Sequence, residues 1–303
     1  MELVNIKGNT FYIKGGTNTG LYLYDDNTCL MIDPGLSGLR PKRIIKLLKS
    51  YNLNLRYIIN THEHNDHYAA CAQFKEEYKD LLILSSEYSK LYIEHPELFS
   101  KYIMGGKSNK FMDEKLRNKY LDKFKIDKVI GDGIIELNRE ELNIIDFKGH
   151  TPGSLGILTK DKILFVGDAL IGQNMLRKYD LLFMYDIKEQ RESLNKLKQI
   201  KFDYLVVSHG DKIISKEESY DLINNHEMAI KKYLKQIIEQ LNEPIGLEML
   251  LKNIIKNNNL SNNYKEYHFF KSSVVSIISY LIDLDEVGYL LNEGELLYYT
   301  QKK

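Results

Sequence analysis

Three histidines and an aspartate fall within one short stretch, Thr61-His62-Glu63-His64-Asn65-Asp66-His67. Imidazole nitrogens and carboxylate oxygens are ligands for Zn²⁺, Fe²⁺ or Mn²⁺. The apolar run Tyr57-Ile58-Ile59 before them reads as a strand. Alternate residues of a strand share a face, so His62 and His64 are expected to share an ion where the strand ends. Asp66 and His67 come next as the chain turns and are expected to face a second ion beside the first. A metal is the simplest agent that stabilises so many ligand side chains in one turn.

Residues of the same types end later segments. His150 lies in Gly149-His150-Thr151-Pro152-Gly153-Ser154, Asp168 ends KILFVGD, and His209 ends FDYLVVSH. With His62, His64, Asp66 and His67 they make a set of candidate ligands that uses five of the eight histidines. The others, His95, His226 and His268, lie in helical or loop segments without nearby acids and read as structural. Gly149 and Gly153 are expected to give a tight loop close to the ions. Thr151 or Ser154 either donates a hydrogen bond to a ligand or caps the turn.

The segments that must position these residues alternate between strand and helix. Residues 1–33 read as short strands punctuated by Gly15-Gly16, Gly20 and Asp25-Asp26-Asn27, with Pro34-Gly35 ending the last. Residues 41–51 carry apolar positions 44, 45, 47 and 48 on a helical period, with Pro41 in the first turn. A strand over 55–60 delivers the histidine cluster, 69–79 reads as a helix leaving it, and 81–85 as the next strand. Strands at 134–137 and 142–147 lead to His150, a helix is expected around 188–200, and a last strand over 202–211. This alternation, antiparallel at the edges, indicates α/β layering.

Residues 86–125 differ, with helical stretches and recurring aromatics (Tyr88, Tyr92, Phe99, Tyr102, Phe111, Tyr120, Phe124). They read either as an excursion over the cleft or as a helical pair packed on the core. Their lysines (Lys101, Lys107, Lys110, Lys115) are left without a role, and Tyr179 and Tyr185 are candidate lid residues. From about residue 216 the pattern is mostly helical and closes on a hairpin turning at Asn292-Glu293-Gly294, a winged-helix-like module. The domains are therefore drawn at 1–215 and 216–303.

In order along the chain, THEHNDH, GHTPGS, FVGDA and SHG resemble the motifs of the metallo-β-lactamase superfamily, over roughly residues 1–215. The resemblance implies an αββα metallo-β-lactamase sandwich with a small, mostly helical winged-helix-like C-terminal domain. It implies that His62, His64 and His150 hold one divalent ion and Asp66, His67 and His209 a second. Asp168 bridges them through its two carboxylate oxygens, and Asp66 also orients the attacking oxygen as the catalytic residue. Two divalent ions, zinc with iron or manganese as alternatives, would lie about 3.5–4 Å apart and share a hydroxide. Within the superfamily the layout is closest to the glyoxalase II-like hydrolases of small esters, thioesters or lactones. Some proteins with a similar tail are single-stranded endoribonucleases, which is the alternative, and a non-catalytic metal-binding regulator is a weak third. An aspartate at position 168, where one lactamase type has cysteine, disfavours antibiotic hydrolysis.

Charge bears on the partner. Lys and Arg balance Asp and Glu at 42 each, so no global field draws nucleic acid or an anionic membrane. Residues 216–303 hold ten lysines against thirteen acidic residues, which disfavours a phosphate-binding recognition helix and suits packing, a pocket wall or a homodimer contact. A small-molecule substrate is the expected partner. Apolar content of 43% suits a soluble protein, and neither a signal peptide nor a membrane span is read. Cys29 and Cys71 read as buried thiols rather than a disulfide, which suits the cytoplasm.

Overall fold

Strands covered on both faces need apolar side chains at successive positions, and β4 (Thr28–Ile32) and β5 (Asn54–Ile59) have them. The structure, a computed structural model, describes residues 1–116 and 123–301. Cys29, Met31 and Ile58 face an outer layer with α1 (Leu39–Ser50) and α3 (Cys71–Glu77). Leu30, Ile32 and Ile59 face inward, in the same core as Leu142, Ile144, Ile157, Ile163 and Val206 of the opposite sheet. Period-two alternation between two apolar layers thus produces the sandwich.

The first sheet runs in chain order through β1 (Val4–Lys7), β2 (Thr10–Ile13), β3 (Thr19–Leu23), β4, β5, β6 (Leu82–Ser85) and β7 (Lys128–Val129). Its pairs are antiparallel as far as β4 and parallel from there. The second contains β8 (Gly133–Leu137), β9 (Glu140–Asp146), β10 (Leu155–Leu158), β11 (Ile163–Phe165), β12 (Tyr204–Val206) and β13 (Ile214–Ser215). Their spatial order is β13-β12-β11-β10-β9-β8, with β11 and β12 parallel. After the short α7 (Gln173–Lys178), α8 (Ile187–Gln199) and α9 (Lys216–Gln240) lie on its outer face, completing four αββα layers.

The excursion forms α4 (Glu87–Glu94), α5 (Glu97–Met104) and α6 (Lys110–Lys115); Tyr120 lies outside the described residues. After α9 come β14 (Ile245–Gly246), α10 (Leu247–Asn257), α11 (Tyr264–Asp283) and the hairpin β15 (Val287–Asn292) and β16 (Glu295–Thr300). Glu293 and Gly294 of its two-residue turn are both left-handed, at φ 49° and 86°. This tail shares one core with the second sheet. Leu222, Ile223, Ile230 and Tyr233 of α9 and Val274 and Ile277 of α11 pack in the same cluster as Leu194 and Leu197. The Ser273 hydroxyl of α11 donates to Leu182 O (2.8 Å), and Ser276 accepts from the Ile187 N–H (2.9 Å).

Cys29 and Cys71 are free and buried, and the Cys71 thiol donates to Asn60 Oδ1 at 3.4 Å. Among the described residues no helix is long and apolar enough to cross a membrane.

Candidate metal centre

The strand does not place the histidines as alternation predicts. β5 ends at Ile59 because its neighbour β4 ends at Ile32, after which Asp33 turns away in a left-handed conformation (φ 51°). The Asp33 carboxylate takes the next strand-like donor, Thr61 N–H, at 2.7 Å. His62 therefore lies in a bend, His64 is the N-cap of a one-turn helix α2 (Asn65–Tyr68), and Asp66 and His67 stand within that turn. Likewise β11 stops at Phe165 and β12 at Val206, so Asp168 and His209 are on loops rather than at strand ends. The expectation for Gly149 also changes. At φ 127° it lies against the backbone of Gln190 in α8, so the glycine serves helix contact rather than approach to ions. Neither Thr151 nor Ser154 supports a ligand. Thr151 Oγ1 donates to Glu63 Oε2 (2.9 Å), and Ser154 Oγ accepts from Thr151 N–H (3.2 Å).

All seven candidate side chains nevertheless converge, at one edge of the sandwich. His62, His64, His150 and Asp168 offer ligand atoms within 4.8 Å of one another, and Asp66, His67 and His209 form a second such group. Asp168 Oδ2 lies 4.0 Å from His62 Nε2, 3.7 Å from His150 Nε2, 3.6 Å from His67 Nε2 and 3.4 Å from His209 Nε2. Oδ2 thus faces both groups. Oδ1 is buried without a hydrogen-bond partner.

The hydrogen bonds behind the rings test whether a cation fits. His67 Nδ1–H donates to Asp33 Oδ2 (2.8 Å), His150 Nδ1–H to Phe183 O (2.9 Å) and His209 Nδ1–H to Gly16 O (2.7 Å). The Thr61 hydroxyl spends its proton on Asp33 Oδ2 (2.7 Å), so His62 Nδ1–H must donate to Thr61 Oγ1 (3.0 Å). Each of these four rings, when neutral, therefore presents a bare Nε2 to the centre. His64 turns its Nδ1 inward, 3.0 Å from His150 Nε2. The bare His150 Nε2, together with His62 Nε2 and His67 Nε2 buried and unpartnered, is the arrangement a cation satisfies.

Electrostatics divide the centre in two. Burial, with neighbouring imidazoles, holds His62 well below its usual range, and burial pushes His64 down to about 3 and lowers His150. Asp168 pushes His209 up to about 12. Burial works against a proton on His67, but Asp168, Asp33 and Asp66 outweigh it and push the ring up to about 10. Burial likewise opposes charge on Asp66 and Asp168, yet His67 and His209 hold both below the usual carboxylate range.

A cavity of about 220 Å³ opens on His64, Asp66, His150 and Asp168. The excursion supplies Tyr92, Pro96, Phe99, Lys115 and Leu116 to its walls, and α11 supplies Lys265 and Phe269. Phe183 completes an aromatic triangle, 6.0 Å from Phe99 and 5.4 Å from Phe269, and lies 5.7 Å from the His150 ring. The excursion therefore borders the cleft, and Lys101, Lys107 and Lys110 lie off the lining. Tyr179 and Tyr185 do not line the cavity either; Tyr185 packs against Tyr102 at 5.7 Å, one groove away. His226 is structural as read, donating to Leu222 O (3.0 Å) and accepting from Ile171 N–H (3.1 Å).

Sequence reasoning missed Asp33, although a carboxylate after a buried strand was the signal used for Asp168. It also passed over Glu63 as a spacer. Glu63 is buried and its Oε2 accepts from Ser89 Oγ (2.8 Å) and Thr151 Oγ1, tying three segments together behind the ligands. Burial raises its carboxyl against those two hydrogen bonds.

A model of the metallo-beta-lactamase superfamily matches residues 12–209. A hydroxyacylglutathione hydrolase of Haemophilus influenzae is 29% identical over 155 residues, 50% of this chain and 66% of that protein. One from Vibrio cholerae is 24% identical over 174 residues, 57% of this chain and 52% of that protein. The chain thus spans about half to two thirds of the length of these relatives. A probable metallo-hydrolase of Methanocaldococcus jannaschii is 26% identical over 65% of this chain and 89% of its own length. Among solved structures, a beta-lactamase domain protein from Burkholderia ambifaria has a TM-score of 0.78 at 12% identity, covering 99% of this chain and 94% of that one. A metallo-beta-lactamase family protein from Thermus thermophilus has a TM-score of 0.69 at 17% identity, covering 99% and 97%. These two are likenesses of fold, and they extend through the C-terminal helices. Motifs, sandwich, converged histidines and family match agree: the chain belongs to the metallo-β-lactamase superfamily of metal-dependent hydrolases.

Proposed function

We propose that this chain is a dinuclear metallohydrolase acting on a small ester, thioester or lactone, with a thioester the first choice. The observation that carries the reading is the 220 Å³ cavity, which sets an aromatic wall directly above the converged ligands. Its size suits a small acyl group rather than a polymer. The relatives named as hydroxyacylglutathione hydrolases support thioester chemistry. His62, His64 and His150 would hold one ion and Asp66, His67 and His209 the other, with Asp168 available to both. With no thiolate in the set, zinc is the first choice and Fe²⁺ or Mn²⁺ the alternatives.

When bound, such a pair supplies Lewis acidity and lowers the pKa of water. The chain's own residues do the rest. Asp66, whose carboxylate is 37% exposed, accepts a hydrogen bond from the attacking water and orients it as the catalytic residue. Phe99, Phe183 and Phe269 hold the acyl group and exclude bulk water. The helix–strand–helix–helix–hairpin order of residues 216–303 supports a winged-helix-like module. Here it serves as a pocket wall, since α11 lines the cavity and the tail is acidic. Two free buried thiols suit the cytoplasm.

The test is a panel of thioester, lactone, phosphodiester, single-stranded RNA and cephalosporin with protein reconstituted with zinc or manganese. Thioester turnover that disappears in Asp168→Ala is expected. RNA cleavage lost in that variant, with no ester turnover, overturns the reading.

A further inference from the structure

Arg40 lies in the first turn of α1, remote in sequence from every ligand. Its NH1 donates to Thr19 Oγ1 (2.9 Å) and Pro34 O (3.0 Å), and its NH2 to Thr17 O (3.1 Å) and Ile13 O (3.3 Å). All four acceptors are neutral, and three are backbone carbonyls. Among the described residues no carboxylate pairs with this guanidinium. A half-buried arginine spent on carbonyls is holding backbone in place. Two glycines make the space for it. A Cβ at Gly15 would stand 2.7 Å from NH2, and one at Gly35 would stand 3.0 Å from NH1.

What Arg40 holds is the loop 15–19, which follows β2 and ends on the first residue of β3, and that loop spends its remaining groups mainly on one half of the metal centre. Gly16 O accepts from His209 Nδ1–H (2.7 Å), and the Thr17 hydroxyl donates to Asp66 O (2.7 Å). Asn18 brackets His209 on both sides: its N–H donates to Ser208 O (2.7 Å), and its side chain to Val207 O (3.1 Å) and Gly210 O (2.9 Å). The Thr19 hydroxyl, accepting from Arg40, donates to Asp33 O (2.8 Å), and Asp33 holds His67. Beside Pro34, Gly35 N–H donates to His67 O (2.9 Å). Asp66, His67 and His209 are thus each two or three hydrogen bonds from one guanidinium. The first group stands further off: His150 rests on Phe183 O, and His62, four hydrogen bonds away, rests on Thr61, which reaches Arg40 through Asp33 and Thr19.

We propose that Arg40 is a positioning residue for the second metal ion ahead of the first: it clamps the loop 15–19 onto Asp66, His67 and His209 and so sets that ion's affinity. The inference rests on the dinuclear reading above. Supports one step behind ligands change metal affinity by about 10–100-fold when removed.

The test is Co²⁺ titration of the metal-free chain, followed by calorimetry and visible absorption, for wild type, Arg40→Met, Arg40→Lys and Thr17→Val. Arg40→Met should leave the first binding step within about twofold and weaken the second by about 10–100-fold. Arg40→Lys should recover part of the loss, and Thr17→Val should weaken the second step by about tenfold with Arg40 intact. A general loss of packing would weaken both steps together, and that result overturns the proposal, as does an unchanged second step in Arg40→Met. Should Arg40→Met fail to fold, Thr17→Val decides by the same criterion. A single binding step in wild type overturns the dinuclear reading and this inference with it. Two steps that the variants do not separate overturn this inference alone.

Discussion

Replacing Asp33 by asparagine changes one atom of a buried carboxylate and should disable one imidazole. Asp33 is 1% exposed. Its Oδ1 accepts from Thr61 N–H (2.7 Å), and its Oδ2 from Thr61 Oγ1 (2.7 Å), His67 Nδ1–H (2.8 Å) and Ser208 Oγ (3.4 Å). Asparagine keeps the first bond and puts an NH₂ where Oδ2 stood. The two hydroxyls can rotate and accept from it; the His67 N–H cannot. The ring then either loses its partner or moves its proton to Nε2, the nitrogen 3.6 Å from Asp168 Oδ2 that faces the second group. Hydrogen bonds to charged groups contribute about 1.5–3 kcal/mol, so the metal-free variant should lose about that much stability. Affinity for the second ion should fall about 10–100-fold, which is about 1.4–2.7 kcal/mol. Urea unfolding measures the first quantity, competition with a chromophoric chelator the second, and ¹⁵N shifts of His67 read the tautomer. Wild-type affinity for the second ion in a variant that has lost the stability would refute the reasoning, because the orientation of His67 would then not depend on Asp33.

Acidity offers a second check. His67 and His209, pushed up to about 10 and about 12, lie above an unfolded value of about 6.5. Their stabilisation of the metal-free chain is therefore complete below about pH 6.5 and is lost as pH rises through about 10. Urea titrations of the metal-free chain between pH 7 and 10 should show that decline, and metal-loaded chain should not. Cutting after residue 215 should abolish cooperative unfolding in circular dichroism. It removes Leu222, Ile223, Ile230, Tyr233, Val274 and Ile277 from the core under the second sheet. At about 1.5–3 kcal/mol for each large side chain, the six contribute about 9–18 kcal/mol, as much as the usual 5–15 kcal/mol of a whole domain.

The ligands were legible because buried strands announce themselves as apolar runs, and the residues just after each run are forced to one edge. His62, Asp168 and His209 were found by that logic even though β5 ends three residues before His62 and the strands before Asp168 and His209 stop earlier than their apolar runs do. FDYLVVSH continues apolar after the ladder ends at Val206, because Val207 packs on the outer layer without pairing. The wall of the cavity was less legible. Phe183 was overlooked between Tyr179 and Tyr185, because which of three nearby aromatics turns inward depends on contacts with Phe99 and Phe269. Arg40 was invisible for the same reason. Nothing in PKRIIKLLKS or the residue before it distinguishes Arg40 from a solvated helix cation until the carbonyls of a distant loop surround it.

These two kinds of residue divide the labour of the site. The ligands are held from behind by Asp33, Thr61, Glu63 and the loop 15–19, all anchored in or beside the first sheet. The cavity is walled from the front by Phe99 of α5, Phe183 of the loop before α8, and Phe269 of α11, whose rings meet 5.4–6.2 Å apart above His64 and His150. Only Phe99 and Phe183 lie within the stretch that matches the family; Phe269 comes from beyond it. Substitutions of Phe99 or Phe269 should alter which acyl group fits without touching the hydrogen bonds that fix the imidazoles, whereas Phe183 also supplies the carbonyl that accepts from His150. Substitutions behind it act on metal affinity first and on substrate only through it. On the proposed function, then, Phe269 of the acidic C-terminal helices would take part in substrate selection, while the loop 15–19 and Asp33 would set the ligand geometry from the opposite side.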